Sequence, residues 1–170
     1  TQNGNLLTQF PLAYTAWLAS FFALFQLNGF VIANSLLLAL SLTSFYFLLR
    51  SFIERFLSFI GTLLFATSFL PVWFGKFTLT ENLALFLFIF LSLSLIQLKR
   101  TGRFLHYAAT LLAAGSLCFT RIEGLALLPI SILLVSRMPT VRHLWKLYPR
   151  KSIFLPITLF ILTGAGTFSE

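Results

Sequence analysis

The chain has 170 residues, 58% of them hydrophobic and only 9% charged, with a net charge of +8 and a mean hydropathy of +0.94. A water-soluble domain draws roughly a quarter of its residues from Asp, Glu, Lys and Arg, so the composition excludes that class. A nucleic-acid partner is excluded as well, because the Lys and Arg residues sit in short loops beside apolar runs, and the single cysteine, Cys118, rules out an internal disulfide framework.

The apolar runs predict an all-α fold: a polytopic membrane helical bundle with about six spanning helices plus an outer juxtamembrane helix. Residues 1–170 read as one transmembrane domain, with 9–27 as the juxtamembrane helix and 30–168 as the spanning part. Thr1–Gln9 lacks the basic start and cleavage pattern of a signal peptide. Gln9–Leu27 has Pro11 near its start, where proline suits a first helical turn, and Tyr14 and Trp17, residue types that favour the membrane–water interface. It is expected to lie on or dip into the outer leaflet; a further spanning helix is the alternative.

Phe30–Leu49 then runs inward to Arg50. Phe56–Phe74 runs outward, with Pro71 and Trp73 near its outer end, and Gly75–Asn82 forms an outer loop. Leu83–Leu98 returns inward to Lys99, Arg100 and Arg103. Phe104–Thr120 goes out again, carrying Ala108, Ala109, Ala113, Ala114 and Gly115 as a small-residue surface that lets helices approach closely. Gly124–Ser136 is short for a span, about 20 Å at 1.5 Å per residue, which sets Arg121 and Glu123 below the outer surface. Met138–Lys151 is a basic loop, and Ser152–Phe168 goes outward past Pro156. With directions alternating, one side collects Arg50, Arg55, Lys99, Arg100, Arg103, Arg137, Arg142, Lys146, Arg150 and Lys151, while Lys76 and Arg121 fall on the other. Cytoplasmic loops carry the excess of Lys and Arg, so the first side is assigned to the cytoplasm of a plasma or inner membrane.

The informative residues occupy two outer turns, Lys76-Phe77-Thr78-Leu79-Thr80-Glu81-Asn82 and Thr120-Arg121-Ile122-Glu123-Gly124. An ionisable residue at membrane depth costs about 2.5–3.5 kcal/mol on insertion scales, which makes it a candidate functional group. Structural roles compete: Thr78 and Glu81 have the spacing of a capping box, and Arg121 with Glu123 could close a tight turn as a local ion pair. Taken together, the two turns fit an anionic lipid phosphate, for which Arg offers a planar fork of donors. A nearby carboxylate could hold a divalent metal, orient a sugar hydroxyl or act as a base. His106 and His143 have no partners at metal-ligand spacing.

Three pieces in order carry a resemblance. Pro11-Leu12-Ala13-Tyr14, followed by Phe21–Gly29, resembles a juxtamembrane helix; Thr78-Leu79-Thr80-Glu81 resembles an acidic residue heading a spanning helix; Thr120-Arg121-Ile122-Glu123-Gly124 resembles a T-R-x-E-G turn. The family is that of the multi-pass GT-C glycosyltransferases that use polyprenyl-phosphate-linked sugars, including the protein O-mannosyltransferases and the lipid A aminoarabinose transferases. The resemblance implies transfer of a sugar from a polyprenyl-phosphate donor to an acceptor, of class left open, on the non-cytoplasmic face. Arg121 and Lys76 would bind the donor phosphate, Glu81 and Glu123 would position acceptor or metal, and Tyr14 and Trp17 would line the substrate approach. The only cofactor it leaves open is a divalent metal, and membrane lipids are the expected surroundings. It also implies a catalytic Asp in an earlier outer loop. This chain contains no Asp, so it is expected to be an internal piece of a longer protein with that loop upstream of Thr1. A non-catalytic transporter or scaffold subunit is the alternative; it would stack charges through the helices rather than gather them at one face.

Overall fold

The computed structural model describes residues 12–76, 80–120 and 124–137, and those residues are helical throughout apart from short turns. Seven helices follow in order: α1 (Leu12–Phe25), α2 (Asn28–Arg50), α3 (Arg55–Thr67), α4 (Phe69–Lys76), α5 (Thr80–Thr101), α6 (Phe104–Thr120) and α7 (Gly124–Arg137). Two of them, α2 with 23 residues and α5 with 22, are long and apolar enough to cross a membrane. The described helices therefore supply two candidate spans where about six were expected; the predicted segment Ser152–Phe168 and the loop Met138–Lys151 lie outside the described residues.

Helix α2 is the hub. It runs beside α5 in the same direction: Asn34 meets Asn82 near the start of both, and the Arg100 guanidinium donates to the Ser51 carbonyl at their far ends. From Asn82 to Arg100 the rise is about 27 Å at 1.5 Å per residue, close to the hydrocarbon thickness of a bilayer. Two ends of the bundle are thereby defined, a basic end at Arg50, Lys99 and Arg100 and an opposite, polar end at Asn34 and Asn82.

Helix α6 turns back along α5. Gly102 makes this reversal possible, with φ 61° and an N–H donated to the Leu98 carbonyl at 2.9 Å, the left-handed helix stop that glycine adopts without steric cost. The α5–α6 contact buries Leu83, Leu87 and Leu91 against Ala113, Ala114 and Leu117, together with Leu37 of α2 and Tyr14 of α1. Ala113, Ala114 and Gly115 are all buried, so the small-residue stretch is where α6 meets its neighbours. A second cluster towards the basic end joins Leu98, Tyr107, Leu111 and Val135 and brings in α7.

Two departures from the expected elements have local causes. Phe56–Phe74 is two helices rather than one, broken at Ser68, whose ψ of 157° is extended. Pro71 lies three residues on; it has no N–H to donate, and its ring excludes the carbonyl four residues earlier, so α3 cannot continue through it. The expected loop Gly75–Asn82 is also much shorter, because Gly75 and Lys76 belong to α4 and Thr80–Asn82 already belong to α5.

Helix α1 folds back on the start of α2. Phe21 touches Gly29 while Tyr14 reaches Asn34, which makes the pair antiparallel. The turn between them holds Gln26 at φ 52°, a left-handed conformation that costs a non-glycine residue about 1–2 kcal/mol. Its amide donates to the Phe22 carbonyl at 2.8 Å, and the Gly29 amide donates to the Gln26 carbonyl at 2.9 Å.

Candidate functional site

The polar end draws together residues from three helices. Folding α1 against α2 buries Tyr14 to 4% exposure, and its hydroxyl donates to Asn34 Oδ1 at 3.0 Å. Asn82, in the first turn of α5, is fully buried. Its Nδ2 donates to the Asn34 backbone oxygen at 3.4 Å and lies 3.5 Å from Asn34 Oδ1. Asn34 is thus the common acceptor linking α1, α2 and α5, the sort of interhelical polar contact that holds apolar helices together.

Glu81 stands beside this cluster, half-buried, and accepts from the Thr80 hydroxyl at 3.3 Å. Its carboxylate is near enough to Tyr14 to act on it electrostatically: burial first, and Glu81 second, push the Tyr14 hydroxyl up to about 12. Both effects disfavour the phenolate, so Tyr14 is a neutral donor at physiological pH.

Among the described residues, two buried polar atoms at this end have no hydrogen-bond partner: Asn82 Oδ1 and Trp17 Nε1. Trp17 packs against the same core cluster as Tyr14 and stacks at a tilt on Phe21, ring centroids 4.8 Å apart. A buried acceptor or donor left unmatched costs about 1–3 kcal/mol. Helix α6 ends here too, at a fully buried Thr120 whose hydroxyl bonds the Leu117 carbonyl at 2.8 Å.

The expected site residues divide accordingly. Tyr14 and Glu81 are brought together, with Trp17 packed on the same core. Lys76 closes α4, and its side chain lies outside the description. Arg121 and Glu123 lie outside the described residues, as does Thr78, the partner in the expected capping box; α6 ends at Thr120 and α7 begins at Gly124. Among the described residues no group of three His, Cys, Asp or Glu could hold a metal ion. Asn34 and Asn82 were not singled out from the sequence. Asn34 is the one amide inside the apolar run Phe30–Leu49, and an amide buried in such a run signals a partner on another helix.

Tyr14→Phe is expected to lower stability by about 0.6–1.5 kcal/mol, read from thermal unfolding in detergent. Asn82→Ala is expected to cost more, because it opens a void and strips Asn34 of a donor. A Tyr14→Phe protein less stable than Asn82→Ala would place the weight of the cluster on the wrong helix.

No family model, curated protein or solved structure matches this chain.

Proposed function

We propose that the chain forms the membrane-embedded donor-binding part of a glycosyltransferase that takes a sugar from a polyprenyl phosphate on the non-cytoplasmic face of a membrane. One observation carries the reading: every charged residue among those described stands at a helix end or in a turn, none within a helix interior. Lys76 and Glu81 fall at the polar end, and Arg50, Arg55, Lys99, Arg100 and Arg103 at the basic end. A transport path needs ionisable or coordinating groups along the bundle; charge confined to the ends instead suits chemistry at an interface.

Membrane embedding is supported by the exterior. Phe56 is 72% exposed, Leu64 66% and Val31 69%, an apolar surface far beyond what a monomer presents to water. The apolar exterior is the lipid-facing surface. With the basic end cytoplasmic, the buried cluster of Tyr14, Asn34, Asn82 and the half-buried Glu81 lies towards the outer leaflet.

In the reaction, an acceptor oxygen attacks the anomeric carbon, the bond to the phosphate oxygen breaks, and the phosphate leaves with the electron pair. Arg121, aided by Lys76, stabilises the charge that gathers on the phosphate as that bond breaks. Glu81 and Glu123 position the acceptor or a divalent metal. The acceptor's proton passes to a base that is not assigned to any residue of this chain.

The orientation is tested with single cysteines at Ser51, Thr101 and Thr78, labelled in intact cells with an impermeant thiol reagent after Cys118→Ser. Labelling is expected at Thr78 alone. Labelling at Ser51 and Thr101 with Thr78 protected inverts the orientation and removes the reading.

A further inference from the structure

At the basic end, a cavity of about 360 Å³ opens beside the α2–α3 elbow, lined by Tyr46, Arg55, Phe56 and Phe59. Its chemistry is graded. Arg55 is the first residue of α3 and exposed, while Phe59 lies one turn deeper along the helix. Phe56 and Phe59 are 72% and 59% exposed, so they face the surroundings of the bundle rather than its core.

The charges around the mouth leave Arg55 available. Arg100 is occupied by the Ser51 carbonyl. Glu54 provides no side-chain cap for α3 and is exposed, so the first amides of α3 keep their partial positive charge beside the guanidinium. Arg50 is exposed one turn beyond Tyr46. A cation at an interface, on the first residue of an uncapped helix and beside aromatic walls, matches one kind of molecule.

We propose that this cleft binds an anionic phospholipid, with Arg55 meeting the phosphate and Phe56, Phe59 and Tyr46 flanking the upper acyl chains. Basic pockets between helices at a membrane face are suited to such headgroups, and Arg is the better partner for phosphate because of its fork of donors. The inference requires only that the chain meets a bilayer, and it stands whether or not the polar end transfers sugars.

The test uses the full chain in phosphatidylcholine vesicles carrying a photoactivatable phosphatidylglycerol, with an equally tagged phosphatidylcholine in parallel. Labelling is mapped to peptides after illumination. Phosphatidylglycerol is expected to label α3 preferentially. Arg55→Gln is expected to reduce that labelling roughly fivefold, the change that about 1 kcal/mol per basic residue produces, while Arg103→Gln, at the exposed α5–α6 turn, leaves it unchanged. Equal labelling by the two lipids overturns the proposal, as does an Arg55→Gln protein labelled like the parent. Excess glycerol phosphate should not displace the lipid; displacement would assign the cleft to a free phosphate instead. A chain that fails to float with the vesicles overturns the membrane placement, and the lipid site with it.

Discussion

If the chain transfers sugar as proposed, Arg121→Ala is expected to lower that transfer by about 10²–10³-fold, the loss expected when one pre-organised contact to developing negative charge is removed. The assay is release of polyprenyl phosphate from a synthetic polyprenyl-phosphate sugar by the full-length protein in vesicles. Arg121→Lys is expected to retain part of that activity, because the charge survives and the fork does not. Glu81→Ala is expected to lower transfer as well, and Glu81→Gln separates its roles. Full activity in Glu81→Gln would leave Glu81 as a helix-start residue, bonded to Thr80 and nothing more. An Arg121→Ala protein with unchanged donor affinity would sink the phosphate assignment.

Gly29→Ala is the second large effect. A Cβ at Gly29 would collide with the Phe21 carbonyl oxygen and sit 2.6 Å from the Phe21 carbonyl carbon and 2.9 Å from the Phe22 nitrogen. These are backbone atoms and cannot swing aside. The expected cost is about 1–3 kcal/mol, the range for overpacking a close contact, and Gly29→Leu costs more. Gly61→Ala is the control: its Cβ would meet only Leu49 Cδ1, at 2.8 Å, the end of a flexible side chain, so its cost is under about 1 kcal/mol. Both are read by thermal unfolding in detergent. Since α1 carries Tyr14 and Trp17, Gly29→Ala should also reduce sugar transfer, even though it lies outside the polar cluster. A Gly29→Ala protein as stable as the parent would mean that α1 does not pack on α2 in this way.

Helix identity and most helix ends were legible from the sequence because their causes are local. Phe104–Thr120 is α6 to the residue, and Gly124–Ser136 is α7 less one residue. Glycine at the α5–α6 reversal and the basic residues closing α5 are cues that any neighbouring turn can read. The break at Ser68 was also written locally, in Pro71, but an uninterrupted apolar run masks a proline whose effect falls three residues earlier. The candidate site was only half legible. Tyr14, Trp17 and Glu81 are conspicuous as interfacial or ionisable residues in apolar surroundings. Asn34 and Asn82 are not, since an amide in an apolar helix has no meaning until its partner is known.

The sequence by itself determined that the described chain is helical, where most of its helices end and which residues are basic at one end, because backbone hydrogen bonding, glycine geometry and charge placement act within a few residues. It did not determine the break at Ser68 or the early start of α5 at Thr80. Only the tertiary structure decided that Tyr14, Asn34 and Asn82 share one hydrogen-bonded cluster, that Asn82 Oδ1 and Trp17 Nε1 are left open beside it, and that α2 and α3 enclose a cleft around Arg55. Those contacts join residues 20 and 48 positions apart. Which faces meet over such distances is set by side-chain packing between helices, with small residues at Ala113, Ala114 and Gly29 setting how closely the backbones approach.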